Sequence, residues 1–326
     1  MTPHIPNDIL GEIINVLGEE SNFETVKSIA QLSSFCLHQS RQHLFRTIEV
    51  TTSQSDSESS GRTLQDFISF FTGHSELLQY IHHFVLHILY PLPSSSAQLL
   101  KPSDQAQCST ILLKASNLNS LSLAIDMDQT QAYLPSFSPS WTGSSFEPIR
   151  ALVGDLLFAH RSLSSLSLTR VSDFPIEVLS FAPYLRSLSL DNSQLIVSSE
   201  GLDKARKVNG NDSHETLLSV FSDSFAYPCL ESLRIDVMQS SHFTDSATSL
   251  VRRVSEPDGQ FILPLSNLKK LYLGLEDSPQ CFKAVSDMLQ AQAIDSLELL
   301  SIRIPCPMKG KSTSILNSPE KTRAYT

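Results

Sequence analysis

One pattern recurs along most of this chain and constrains its fold more than any other feature: leucine, two residues, leucine, one residue, leucine or isoleucine. It stands at Leu118-Leu121-Leu123, Leu163-Leu166-Leu168 and Leu185-Leu188-Leu190, and again at Leu230-Leu233-Ile235, Leu268-Leu271-Leu273 and Leu297-Leu300-Ile302. Ile81-Phe84-Leu86 is a weaker relative, and Ile48-Val50 reads as an opening strand. The last two apolar positions alternate as in a strand buried on one face, with the first leucine under the preceding turn. Side by side, such units make a parallel sheet with a continuous apolar layer. Helical candidates at 149–159, 216–222 and 281–293 fall between strands, so the expectation is α/β, an irregular solenoid. Spacing is uneven: 22 residues separate Leu163 from Leu185, but 45 separate Leu118 from Leu163 and Leu185 from Leu230. The long gaps read as loops, Pro- and Ser-rich at 134–148 and rich in Gly, Asn, Asp and Lys at 199–215. Residues 51–60, TTSQSDSESS, read as a linker, and 306–326 as a frayed, disordered tail.

Ahead of the repeats, residues 5–17 read IPNDILGEIINVL. Pro6 suits a helix start, Asp8 favours the first turn, and Gly18 is a natural stop. On a helical wheel Ile9, Leu10, Ile13, Ile14, Val16 and Leu17 cover an arc of roughly 160°, wider than one packing face needs. Such a helix must bury two flanks, one within its own module and one against something else. Ser21 and Glu24 have the spacing of a capping box for a second helix, and a third runs from about 34 to 45. Three short helices make a core that is marginal alone, so the spare flank reads as a docking surface.

This opening resembles an F-box, which typically reads Leu-Pro-x-Glu-Leu-Leu-x-x-Ile-Phe-x-x-Leu. Ile5, Pro6, Asp8, Ile9, Leu10, Ile13, Ile14 and Leu17 match it, and RQHLFRTIEV resembles the module's end in fungal F-box proteins. Asp8 replaces the usual glutamate, and Phe35 is the nearest stand-in for the tryptophan of the third helix. The later region resembles the leucine-rich repeats that often follow F-boxes. It lacks their asparagine ladder, for the equivalent positions are Asp126, Val171, Ser193, Met238, Glu276 and Pro305. The resemblance implies an F-box-like helical module over 1–46, a leucine-rich-repeat-like solenoid over 47–305 and a tail over 306–326. It further implies a non-enzymatic adaptor of a Skp–cullin–F-box ubiquitin ligase, with a protein substrate held on the solenoid. The residues expected to dock the Skp-family linker are Ile5, Pro6, Ile9, Leu10, Ile13, Ile14, Leu17, Phe35, Leu44 and Phe45.

Within the repeats, residues between the leucines face the open side of the sheet. Ser120, Ser122, Ser165, Ser167, Ser187 and Ser189 give the early strands little grip. Arg234, Asp236, Lys270, Tyr272 and Arg303 on the later strands are the expected substrate contacts, since Arg and Tyr anchor interfaces.

Lys plus Arg is 24 and Asp plus Glu is 34, a net charge of −10 that argues against nucleic acid. Five scattered cysteines form no C-x-x-C pair, which suggests neither zinc nor a disulfide framework and fits a reducing compartment. Asp8 and Glu12 without a basic flank are not a secretory signal, and no apolar run reaches the roughly 20 residues of a membrane span. The expectation is a cytoplasmic or nuclear chain with no cofactor. Gly310-Lys311-Ser312 echoes a phosphate-binding loop, but the glycine that motif requires five residues earlier is Pro305. His82, His83 and His87 lie in a strand-forming stretch with no acidic partner near, and no nucleophile elbow occurs. Two rivals remain: a leucine-rich-repeat interaction scaffold without a ubiquitin-ligase link, and a hydrolase or nucleotide-binding enzyme on another α/β fold.

Overall fold

In a computed structural model of the chain, the structure describes residues 5–52, 62–90, 99–127, 140–196, 228–236, 240–250, 265–275, 278–292, 294, 296–304 and 323–325. Three helices open it: α1 (Asn7–Glu19), α2 (Phe23–Ala30) and α3 (Ser34–Leu44). Ile14, Val26 and Cys36 are completely buried between them, ringed by Leu10, Leu17, Ile29, Phe35 and Leu44. The caps differ from expectation. Asn22, not Ser21, caps α2 by accepting from the Thr25 N–H, while Ser21 takes a left-handed φ of 58° in the turn. Glu24 pairs instead with Lys27 at 2.6 Å. Ser33 caps α3 through the Cys36 N–H at 3.1 Å. Gly18 does not end α1; it lets the helix pass against the His43 ring, which a Cβ would strike.

The rest is built on one ten-stranded sheet in the order β12-β11-β10-β9-β7-β5-β4-β3-β1-β2. Its strands are β1 (Thr47–Thr51), β2 (Arg62–Thr63), β3 (His83–Tyr90), β4 (Ser120–Met127), β5 (Ser165–Thr169), β7 (Ser187–Asp191), β9 (Ser232–Asp236), β10 (Lys270–Gly274), β11 (Leu299–Arg303) and β12 (Arg323–Tyr325). β6 (Phe174–Pro175) and β8 (Leu195–Ile196) form a separate pair. All pairings in the large sheet are parallel except β11 with β12. Between strands lie α4 (Leu64–Gly73), α5 (Pro102–Leu112), α6 (Glu147–Ala159), α7 (Ser240–Leu250) and α8 (Pro279–Gln292), with 3-10 turns at Ser75–Tyr80, Ser144–Phe146 and Ile176–Phe181.

The expected leucine-rich-repeat solenoid is corrected here. The architecture is an α/β fold around a large sheet of nine parallel strands, closed on one edge by an antiparallel tenth. The leucine pattern has a broader physical meaning than a repeat family. A parallel strand buried on one face and entered by a tight turn can carry it without being a repeat, and the intervening segments are not alike: some are full helices, one a 3-10 turn. From β3 to β11 the strands of this sheet follow chain order, and the reversal β2-β1-β3 lies next to the sheet's edge, so the crevice that a central reversal opens in doubly wound sheets is absent among the described residues.

Register is uniform. Ile48, Phe84, Leu121, Leu166, Leu188, Leu233, Leu271 and Leu300 form one column across the buried face. Val50, Leu86, Leu123, Leu168, Leu190, Ile235, Leu273 and Ile302 form the next. Leu118, Leu163, Leu185, Leu230 and Leu268 are buried under the preceding turns. At the last strand Leu297, Leu300 and Ile302 are only partly buried. There the expected frayed tail is corrected in part, since Arg323–Tyr325 lies along β11.

One expected loop, 134–148, is also revised over its described part. The stretch 140–148 is built into the core: Trp141 and Phe146 are buried, and the Arg150 guanidinium donates to the Trp141 and Gly143 carbonyls at 2.6 and 2.8 Å. Residues 199–215, the helix expected at 216–222, most of the 51–60 linker, and Met238, Glu276 and Pro305 lie outside the described residues. At one ladder position a serine does the work of asparagine. Buried Ser193 accepts from the Val171 N–H at 2.9 Å and donates toward the Leu168 carbonyl at 3.0 Å. Ser193→Ala leaves that N–H unpaired in a dry turn, so thermal or denaturant unfolding is expected to show a loss of about 1–3 kcal/mol.

Candidate functional site

Two surfaces stand out. The first is the outer flank of α1. Its apolar arc splits into two rows at helical spacing. Leu10, Ile14 and Leu17 turn into the module's core. Ile9, Ile13 and Val16, continued by Ile5 just before the helix, face outward and are 41–52% exposed. The expected docking set therefore divides. Ile5, Pro6, Ile9 and Ile13 are on the exposed side. Leu10, Leu17, Phe35 and Leu44 are half-buried around the small core. Ile14 is sealed, so its assignment as a docking residue is corrected: nothing reaches it without opening the module. Phe45 is turned the other way, packed on the sheet's core and stacked on Phe70 at 6.1 Å. Sequence reasoning did not assign Val16, Phe23, Leu32 and Leu37 to this surface; all four are exposed on the module. For Val16 the signal was its place in the arc beside Ile9 and Ile13.

The second surface is the face of the sheet opposite the leucines. Parallel register brings the five expected contacts together on β9, β10 and β11. Arg234 stands beside Tyr272, Ser232 beside Lys270, and Asp236, Gly274 and Arg303 follow in a row. Arg234 donates to the Asp236 carboxylate at 3.2 Å. Asp236 leans over Gly274, occupying the space a side chain would need there. On the other side the serine columns continue the floor: Ser120, Ser165, Ser187 and Ser232 in one, Ser122, Ser167 and Ser189 in the other.

Charge on this face is organised in ladders. At the strand entrances Glu231 lies between Lys269, at 3.1 Å, and Arg186; their hydrogen bonds and charges hold its carboxyl below the usual range. At the other end Asp191 stands beside Asp236. Partial burial and the Asp236 charge push the Asp191 carboxyl up, against the opposing pull of Arg234 and Arg170.

The three histidines separate. His82 and His83 are held below the ordinary imidazole value by burial and by the Arg46 charge. His87 does have an acidic partner, contrary to the sequence reading: Asp126 on the neighbouring strand, at 2.9 Å. Among the described residues no three His, Cys, Asp or Glu side chains gather as a metal site requires, and no helix is long and apolar enough to cross a membrane. An open depression of about 500 Å³ between α4 and α5 is lined by Phe71, Leu78, Ile111 and Lys114 together with the hydroxyl side chains Thr72, Ser75 and Thr110, and by no carboxylate, histidine or cysteine. Gly310-Lys311-Ser312 lies outside the described residues.

No family model matches the chain, and no curated protein shows detectable similarity to it.

The raised Asp191 carboxyl has a consequence for stability. A carboxyl whose folded pKa lies above its unfolded value holds its proton more firmly in the folded state. Folding is therefore penalised as pH rises through that window, and the penalty is complete above it. Asp191→Asn is expected to be more stable than the parent at pH 7, with the difference vanishing near pH 3. Urea unfolding at the two pH values checks it.

Proposed function

We propose that this chain is a non-enzymatic, F-box-like substrate-recognition adaptor of a Skp–cullin–F-box ubiquitin ligase. In this reading the N-terminal helices dock the Skp-family linker, and the leucine-free face of the sheet holds a protein substrate. The observation that carries the reading is the exposed row Ile5, Ile9, Ile13 and Val16, which runs beside a row already spent on the module's own core. Such a contiguous apolar row, on a module with only three fully buried core side chains, is the kind of surface that a partner covers. It falls on the stretch whose sequence resembles an F-box. The chemistry asked of the chain is proximity alone: tethering raises the local concentration of substrate lysines near a charged enzyme, and no side chain here makes or breaks a bond.

The outer and inner rows of α1 give a clean test. Ile9→Asp with Ile13→Asp is expected to reduce co-purification with the Skp-family linker by at least roughly 100-fold, because each anchor contributes about 2 kcal/mol or more when buried in an interface. Circular dichroism and the thermal midpoint should stay at parental values, since both positions face outward. Leu10→Asp with Ile14→Asp should instead melt the helical module. Linker binding at parental level by the outer-row variant, with its fold intact, sinks the adaptor reading.

A further inference from the structure

The substrate face has a centre, and its chemistry points to one kind of partner. Arg234 and Tyr272 occupy the same level of adjacent strands, and Lys270 stands on the same face two residues before Tyr272. Parallel strands lie about 4.8 Å apart, so the three side chains rise within one small patch. The Arg234 side chain is 55% exposed, Lys270 is exposed and Tyr272 half-buried. Beside them Ser187, Ser189 and Ser232 carry hydroxyls with no partner among the described residues.

The charge balance sets the sign of the ligand. Glu231 is matched by Lys269 and Arg186. Asp236 engages part of the Arg234 fork and leaves other donors outward. Lys270 has no ion pair among the described residues. On these three strands Arg234, Lys270 and Arg303 outnumber Asp236, so in a chain of net charge −10 this patch is locally cationic. The serine floor carries only small side chains across several strands, which lets an extended main chain lie close and find hydroxyl donors and acceptors along its length.

We propose that Arg234, Lys270 and Tyr272 anchor an Asp or Glu side chain of an extended acidic segment in the partner, with the adjacent serines contacting its main chain. The inference rests on the adaptor reading and names the chemistry of the substrate.

The probe is a fluorescein-labelled Glu–Ser repeat peptide of about ten residues, long enough to cross several strands. Its anisotropy is titrated with the full chain, alongside a Gln–Ser counterpart and a version carrying phosphoserine in place of glutamate. The Glu peptide is expected to bind more tightly than both, and to weaken as salt rises. Arg234→Ser with Lys270→Ser should weaken it roughly tenfold or more, since charge-assisted hydrogen bonds are lost. Parental circular dichroism and linker co-purification show that this variant is folded. Ile9→Asp with Ile13→Asp should bind the peptide as the parent does, so failure of linker docking and failure of this site are separately visible. No binding of the Glu peptide, equal binding of the Gln peptide, tighter binding of the phosphopeptide, or indifference to the Arg234/Lys270 change overturns the proposal.

Discussion

Seven backbone carbonyls at the strand entrances hold the sheet in register, and the remaining features hang from them. Arg46, His82, Asn119, Ser164, Arg186, Glu231 and Lys269 each accept two N–H groups from the start of the next strand of the sheet, at 2.7–3.0 Å. A carbonyl has two lone pairs, so one such group satisfies two donors that a turn would otherwise leave unpaired. Because the device repeats at the same level in every layer, the strands cannot slip. A slip of one residue would turn each leucine column outward and each serine column into the core. The level of Arg234 beside Tyr272, and of Glu231 between Arg186 and Lys269, follows from that register and not from contacts among those side chains.

The same device joins the helical module to the sheet. The Arg46 carbonyl, just past α3, accepts from His82 and His83 at the start of β3. Phe45 sits in the sheet's core, packed against Phe70 and Phe71. His38 on α3 hydrogen-bonds the Tyr80 hydroxyl at 3.0 Å. Three kinds of contact thus cross one junction, in backbone, aromatic packing and side-chain polarity. A module tied this way presents its outer row in a set direction relative to the sheet face, which is what a tether needs if it is to hold one protein at a fixed distance from another.

How much of this was legible in the sequence depends on which force placed each residue. The strands were, because burial of one face leaves a two-residue period that leucine marks directly; each of the six strong L-x-x-L-x-L matches falls on a strand of the sheet. The fold class was not, because the same period serves any one-sided parallel strand, and the segments between strands decide the class. Among those, α5 (PSDQAQCSTIL) has no clear apolar stripe and was invisible to a periodicity search. The α2 cap was misplaced by one residue, since Ser21 and Asn22 are both good cap types and only the left-handed turn at Ser21 decides between them. The His87–Asp126 pair and the role of Ser193 depend on neighbours 39 and 22 residues away, beyond the reach of local pattern. On α1 the breadth of the apolar arc was readable, but not which edge faces in; the positions of α2 and α3 settle that.

The outer row of α1 is hard to explain by folding alone. Ile9, Ile13 and Val16 are β-branched, so each loses side-chain freedom in a helix and is a poorer helix former than Leu, Lys or Glu. Each also leaves apolar surface in water, 52%, 41% and 47% exposed. Replacing all three with Lys or Glu would improve helix propensity and remove the exposed patch while leaving Leu10, Ile14 and Leu17 in place. Two separate terms therefore favour polar residues at these positions in the free chain. Apolar, stiff side chains there are favourable only where a partner's surface removes them from water, and their restricted rotamers then lower the entropy lost on binding. The physical case for a docking flank thus rests on the free chain being locally less stable than it could be.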